Sequence, residues 1–281
     1  MRIEIATEPA RSGRPNEDFI AASPSAVVLL DGAGTPVGSD SGCTHGVPWY
    51  VARLGVHLLA QATNHSDQAL TDCLSAAIAE TAELHVDTCD LSHPGTPSAT
   101  VIAARLTDSA LEYLVLADST LVIAPASGAA PVAITDDREA AVGAALRGPM
   151  DAEASGTPEH TAALRAYVEA MRAHRNQRGG FWVAAADPRA AAEAITGSIP
   201  RADINGFALL SDGASRLVDR FQLADWRQAL QLIRDQGPAA LIDHVRDAEH
   251  SDPEGRRWPR GKVHDDTAIA VVTLEQPRPG N

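Results

Sequence analysis

The sequence predicts an α+β fold in which antiparallel sheets sit at the centre and helices pack outside them. Three observations carry this expectation. Strand-like and helix-like stretches come in separate runs instead of alternating, which disfavours a parallel sheet with crossover helices. Short apolar segments bounded by Pro, Gly or Ser recur along the chain, as strands do. Two longer segments place apolar residues at the three-and-four spacing of amphipathic helices.

Taken in order, strands are expected at Ile3–Thr7, Asp18–Ala22 and Ala26–Leu30. Val51, Leu54, Leu58, Leu59 and Ala62 put a helix over Trp49–Ala62, and Leu70, Cys73, Leu74 and Ile78 put a second over Asp67–Val86. Strands return at Ala99–Leu106, Leu111–Leu116 and Leu121–Ala124, the last two flanking a turn that contains Asp118 and Ser119. Arg138 to Arg178 is polar, alanine-rich and mostly helical, clearest over Thr161–Ala173, and reads as a mobile insertion over one face. Further strands are expected at Gly180–Ala184 and Phe207–Leu210, helices at Leu223–Ile233 and Ala239–Val245, and a closing strand at Ala268–Leu274. No Pro/Gly/Ser-rich linker or abrupt change of charge divides the chain. Residues 1–275 therefore read as one domain and residues 276–281 as a short flexible tail.

The chain has 37 acidic and 23 basic residues, a net charge of −14 that argues against nucleic acid and anionic membranes as partners. A phosphorylated partner would need local positive charge, which bound divalent cations supply. The N-terminal MRIEIATEPARSG has no basic segment followed by an apolar run. No apolar stretch nears the ~20 residues that span a bilayer, so a cytoplasmic protein is expected. Cys43, Cys73 and Cys89 read as too few and too scattered for a disulfide framework or a zinc site of known spacing. No HxxxH or HExxH pair occurs, so no histidine is assigned to a metal.

The most informative feature is an apolar strand running straight into Asp. It occurs as VVLLDGAG at Asp31, LVLADST at Asp118 and FALLSDGAS at Asp212, and reversed in HDDTAIAVV, where Asp265 and Asp266 enter a strand. A strand end holds a side chain more rigidly than a loop, and Gly after Asp lets the backbone turn so that its carbonyl also faces the site. Each junction alone is a common turn dipeptide. Four in one chain, with Asn16-Glu17-Asp18 upstream, point to acids that share a cation, because clustered carboxylates otherwise repel. Oxygen-only ligands suit magnesium or manganese above zinc.

The ordered set RPNED (14–18), LLDGAG (29–34), SAT (98–100), LADS (116–119), ITDDR (134–138), LLSDGA (209–214) and HDDTAIAVV (264–272) resembles the PPM, or type 2C, metal-dependent protein phosphatases, in a bacterial-like form. The resemblance runs from about Glu4 to Thr273 in the family's motif order. It implies a four-layer α-β-β-α sandwich of two antiparallel sheets flanked by helices, acting on phosphoserine and phosphothreonine in proteins with two divalent cations, Mn or Mg. Carried over by motif, Asp31 would bridge both ions and the Gly32 carbonyl would complete one shell. Asp212 and Asp265 would bind the second ion, and Glu17 and Asp18 would act mainly through water. Asp118 matches the acid that in bacterial relatives helps hold a third, weaker cation. Residues 138–178 fall where the family carries its flap. Two cations acidify a bridging water and offset charge on the phosphoryl oxygens during in-line attack, so no covalent intermediate is needed.

The chain also departs from the family. Gly13 stands where an Arg commonly grips substrate phosphate. Arg11 and Arg14 lie nearby and read either as its substitutes or as solvated surface residues. Ala117 and Thr120 end the LADST turn in place of the family's Gly and Arg, Ala33 replaces a proposed proton donor, and Thr35 replaces a second glycine. Arg256, Arg257, Arg260 and Lys262 form a basic loop that reads either as an attractor for phosphorylated substrate or as a surface loop balancing nearby acids. Beside the hydrolase, two other readings stand: a catalytically weak or inactive binding protein of the same fold, and a phosphatase of a small phosphorylated metabolite. The sequence leaves the oligomeric state open.

Overall fold

The computed structural model describes residues 1–34 and 40–274; the expected tail at 276–281 and Thr35 lie outside the described residues. In chain order the elements are β1 (Arg2–Glu8), β2 (Asp18–Ala22), β3 (Ala26–Ala33), α1 (Val47–Asn64), α2 (Leu70–Glu83), β4 (Ser98–Leu106), β5 (Ala110–Leu116), β6 (Thr120–Pro125) and β7 (Val132–Ile134). There follow α3 (Arg138–Leu146), α4 (Gly148–Asp151), α5 (Pro158–Arg172), β8 (Ile195–Pro200), β9 (Ile204–Leu210), α6 (Asp212–Asp219), α7 (Trp226–Gln236), α8 (Pro238–Ser251) and β10 (Thr267–Thr273). One five-stranded sheet runs β1-β10-β9-β6-β7 and the other β2-β3-β4-β5-β8, with every neighbouring pair antiparallel.

Three apolar clusters stack these pieces into four layers. Strand side chains alternate between faces, so Val27 and Leu29 of β3 meet Ile102, Leu121, Phe207 and Ala270 between the sheets. Their neighbours Val28 and Leu30 turn outward onto Leu54, Leu58, Leu74 and Ile78 of α1 and α2. On the far side Val122, Ala208, Leu210 and Ile269 pack against Leu217, Ile233, Leu241 and Val245 of α6, α7 and α8. Strands covered on both faces need continuous apolar runs, which is why VVLL and FALL stand out in the sequence. Helix α1 lies close on β2 because Gly55 has no side chain: a Cβ there would come within 2.3 Å of the Phe19 ring.

The expected strand at Gly180–Ala184 is absent. Ala184 makes only an isolated bridge to Ala99, and Phe181 one to Arg175. The slot beside Ala99 is open because β5 pairs with β4 only from Val101 onward, and the chain turns at Ala117 to leave that sheet. Three elements lack a sequence signal. β7 is three residues long, β8 is a mostly exposed edge strand carrying Gly197, Ser198 and Pro200, and α6 begins inside a motif that reads as a turn. The helix expected from Leu223 starts at Trp226, behind an Asp225–Gln228 capping box, and leaves Leu223 exposed.

Both sheets end together along one edge of the sandwich. Asp18 opens β2 and pairs in register with Asp31 near the end of β3. Ser211 and Asp212 follow β9 directly, and Asp265 and Asp266 directly precede its neighbour β10. Asp118 sits where the chain crosses from β5 to β6, that is, from one sheet to the other.

Candidate active site

Register alone brings Asp18 beside Asp31, and strand pairing brings Asp212 beside Asp265. The two pairs face each other across the layers: the Asp212 backbone N–H points to Asp31 Oδ2 at 3.4 Å. Ser211 ties the β9–α6 junction to β10 by accepting the Ala268 N–H at 2.9 Å through its hydroxyl. At Gly32 a Cβ would lie 2.3 Å from Val47 and 2.5 Å from the Glu17 carbonyl, so a side chain cannot stand there.

The acids are electrostatically unequal. Burial pushes the Asp31 carboxyl well above the usual range, and Asp18, Asp212, Asp265 and Asp118 add to the rise. Burial raises Asp18 strongly as well, helped by Asp265, Asp212 and Asp266 and opposed by the nearby Ser211 hydroxyl. Neither carboxylate oxygen of Asp18 has a hydrogen-bond partner among the described residues. Asp118 rises through burial and then Glu139, and Glu17 through burial first. Burial also pushes Glu139, on the first turn of α3, up to about 7, with Asp212 and Asp136 contributing. Asp265 goes the other way. Burial would raise it, but Lys262 at 2.6 Å and Arg216 at 2.5 Å outweigh burial and hold it below the usual carboxylate range.

Arg216 belongs to a buried network that no motif announced. It forks between Asp265 and Glu249 (2.9 Å), while Glu249, fully buried, also accepts from Arg246 at 2.8 Å and meets His264 at 2.7 Å. Arg246 in turn donates to the Asp265 carbonyl at 2.8 Å. The one available clue is helical spacing: Arg216 lies one turn after Asp212, on the same face of α6.

A cleft of about 370 Å³ opens over Asp31, Asp118, Asp212 and Asp265. Its far wall is the 138–178 segment, where α3 and α5 meet at Gly143 and Tyr167, together with Phe181 and Val183, which pack with Met171 on Ala117. Arg175, just after α5, reaches into the cleft wall and donates to the carbonyls of Pro94 (2.7 Å) and Thr96 and to Ser98 Oγ (both 3.3 Å). A larger cavity, about 570 Å³, lies at the opposite edge of the sandwich around Arg2, Asn205, Arg234 and Leu274, away from the acids.

Arg11 and Arg14 are exposed on a tight turn, closed by the Arg14 N–H donating to the Arg11 carbonyl, and neither lines the cleft. Gly13 between them has φ +81°, a conformation that disfavours any side chain. The basic loop is divided in its commitments. Arg260 is buried on Asp252 and backbone carbonyls, Arg256 pairs with Glu254, and Arg257 lies over Trp258. Arg260 and Lys262 line the cleft; Arg256 and Arg257 do not.

The residues fit hard divalent cations. The acids converge, every candidate donor is an oxygen, and the buried Asp18 carboxylate has no hydrogen-bond partner among the described residues. One of the sequence expectations needs correction. Cys43 and Cys89 are not scattered, and two histidines, His45 and His85, complete a separate four-residue cluster with them. The connections on either side of the α1–α2 pair bring them together, across a sequence gap that no motif spans.

A family model described as Protein phosphatase 2C matches residues 6–245. The fold is similar to serine/threonine phosphatase Stp1 from Staphylococcus aureus, with a TM-score of 0.58 and 14% identity over 98% of this chain and 96% of that one. It is similar to the PPM Ser-Thr phosphatase MsPP from Mycobacterium smegmatis, solved with cacodylate, with a TM-score of 0.56 and 17% identity over 98% and 99%. It is also similar to the catalytic domain of PstP, a serine threonine protein phosphatase solved with 2 manganese ions, with a TM-score of 0.50 and 17% identity over 96% of each chain. At such identities the likeness is one of fold. No curated protein matches by sequence.

Proposed function

The chain belongs to the protein phosphatase 2C family, and from that premise we propose that it hydrolyses phosphoserine and phosphothreonine in proteins with two divalent cations, magnesium or manganese. The observation that carries this reading is the convergence of Asp18 and Asp31 from one sheet with Asp212 and Asp265 from the other, with the buried Asp18 carboxylate lacking a hydrogen-bond partner among the described residues. The chain acts as one domain, with residues 138–178 as the flap over its cleft.

In this reading Asp31, the Gly32 carbonyl, Asp212 and Asp265 are the groups that would hold the two ions. Glu17 and Asp18 would act mainly through water, and Asp118 would help to hold a weaker outer cation. When bound, the cations acidify a water for in-line attack and offset charge on the phosphoryl group. Asp265 enters ionised because Arg216 and Lys262 stabilise its charge. Arg175 binds backbone carbonyls and a hydroxyl, leaving its charge open to substrate phosphate in the role the family gives the position of Gly13. Gly13 itself favours a second reading, a protein that keeps the cation site and turns over slowly.

Manganese-dependent release of phosphate from a phosphopeptide tests the first reading. A chelator should abolish it, and Asp31→Ala or Asp212→Ala should lower it at least ~100-fold. Equal activity in those variants would remove the assigned site. Cation binding by calorimetry without turnover on any phosphopeptide would favour the second reading, and turnover confined to small phosphate esters would favour a metabolite phosphatase.

A further inference from the structure

We propose that Cys43, His45, His85 and Cys89 form a tetrahedral zinc site that staples the chain leaving β3 to the chain entering β4. The proposal is independent of the phosphatase reading, because none of the four residues lines the acidic cleft.

Geometry carries it. One candidate donor atom from each residue lies within 4.8 Å of all the others. Cys43 Sγ is 3.6 Å from Cys89 Sγ, 3.9 Å from His45 Nδ1 and 3.7 Å from His85 Nδ1, and Cys89 Sγ is 3.4 Å from His45 Nδ1. Zinc with bonds of about 2.3 Å to sulfur and about 2.0–2.1 Å to nitrogen makes a tetrahedron whose edges are roughly 3.3–3.8 Å. Four of the six edges of the cluster, at 3.4–3.9 Å, are thus already close to those of a zinc tetrahedron. The two sulfurs stand well beyond the ~2.05 Å of a disulfide, and a disulfide would leave both imidazoles unexplained. Two thiols and two imidazoles are a softer set than the acids of the cleft and favour zinc over magnesium or manganese.

The surroundings hold these ligands in place. Trp49 stacks on His45 with ring centres 4.3 Å apart and tilts against His85 at 5.0 Å. The Thr44 N–H donates to Cys89 Sγ at 3.4 Å, an amide-to-sulfur bond that stabilises a coordinating thiolate. The two connections also touch without an ion. The Asp90 N–H donates to the Gly42 carbonyl at 2.8 Å, and Gly42, at φ +67°, lies so close to His93 that a Cβ would be 2.4 Å from it. Beyond this contact the chain runs through Pro94, Thr96 and Ser98, the anchors of Arg175. The staple therefore supports one wall of the cleft from outside.

The test uses the full chain, stripped of metal under reducing conditions and titrated with cobalt(II) alone. One equivalent should bind with the visible bands of a tetrahedral ion and a near-ultraviolet thiolate-to-cobalt band, and zinc should then erase both. Asp31→Ala should leave these spectra unchanged, whereas Cys43→Ser and Cys89→Ser should each weaken binding by at least ~100-fold. Zinc should raise Tm by about 5 °C or more in the parent chain and not in Cys43→Ser. The parent chain's spectrum stands as evidence even if a variant fails to fold. Absence of the thiolate band, its survival at undiminished intensity and affinity in both serine variants, or a Cys43–Cys89 disulfide with no cobalt bands after reduction would each overturn the site.

Discussion

In Glu139 the first turn of α3 carries a carboxyl whose proton is retained up to about pH 7, against an ordinary value of 4.5. For an acid raised on folding, the native state binds more protons than the unfolded chain between those values. Its contribution to stability is therefore complete below about pH 4.5 and is lost as pH rises through about 7; Asp31, Asp18 and Asp118 shift in the same direction. Calorimetry of metal-free protein should show Tm falling across that window, with Glu139→Gln flattening the slope and saturating manganese reversing it. Asp18 gives a sharper test, because ionising its buried carboxylate, which has no hydrogen-bond partner among the described residues, costs stability unless a cation offsets it. Asp18→Asn should stabilise the metal-free protein by about 1–2 kcal/mol, roughly 2–8 °C in Tm, while weakening manganese binding measured by calorimetry. Unchanged stability would mean that the native protein meets that carboxylate by other means. Asp31 and Asp118 were legible in the sequence because each closes an apolar run, and Asp18 because it ends the Asn16-Glu17-Asp18 motif. Glu139 was not, since an acid on the first turn of a polar helix is ordinary helix chemistry.

At the scale of elements, α6 does more than cover a sheet. Its eight residues carry Asp212 into the cleft and Arg216 behind Asp265, so a single short helix sets one acid and fixes the orientation of another. Arg216→Lys keeps the charge but cannot fork to both Glu249 and Asp265. It should lower kcat/KM by ~10–100-fold with little change in unfolding midpoint, a split that a purely structural role would not give. The element was illegible because SDGAS opens like a turn and the helix ends after two turns. By contrast, Asp18–Ala22 was read with its true bounds, and α1 and α2 within a few residues, because periodic burial over many residues writes itself into composition. The misread strand at Gly180–Ala184 shows the limit: Phe181, Val183 and Ala184 are buried as strand residues would be, but against α5 and the β4 edge without a ladder of their own.

For the whole molecule, a net charge of −14 is compatible with a phosphate substrate only if cations gather where substrate enters. In the proposed reading the sandwich would do this by ending both sheets at one edge. The Cys43–Cys89 cluster escaped sequence reading for a related reason: its members meet only after α1 and α2 fold back on each other, and no local spacing records that. Asp18 and Asp31 are rooted in one sheet, and Asp212 and Asp265 in the other. Ions gripped by both pairs would rivet two layers whose shared interior is apolar, so sliding one sheet over the other would mean tearing coordinate bonds. Amide hydrogen exchange should then slow in β3 and β9 together when manganese is added, by a similar factor in each, and that shared change should vanish in Asp31→Ala.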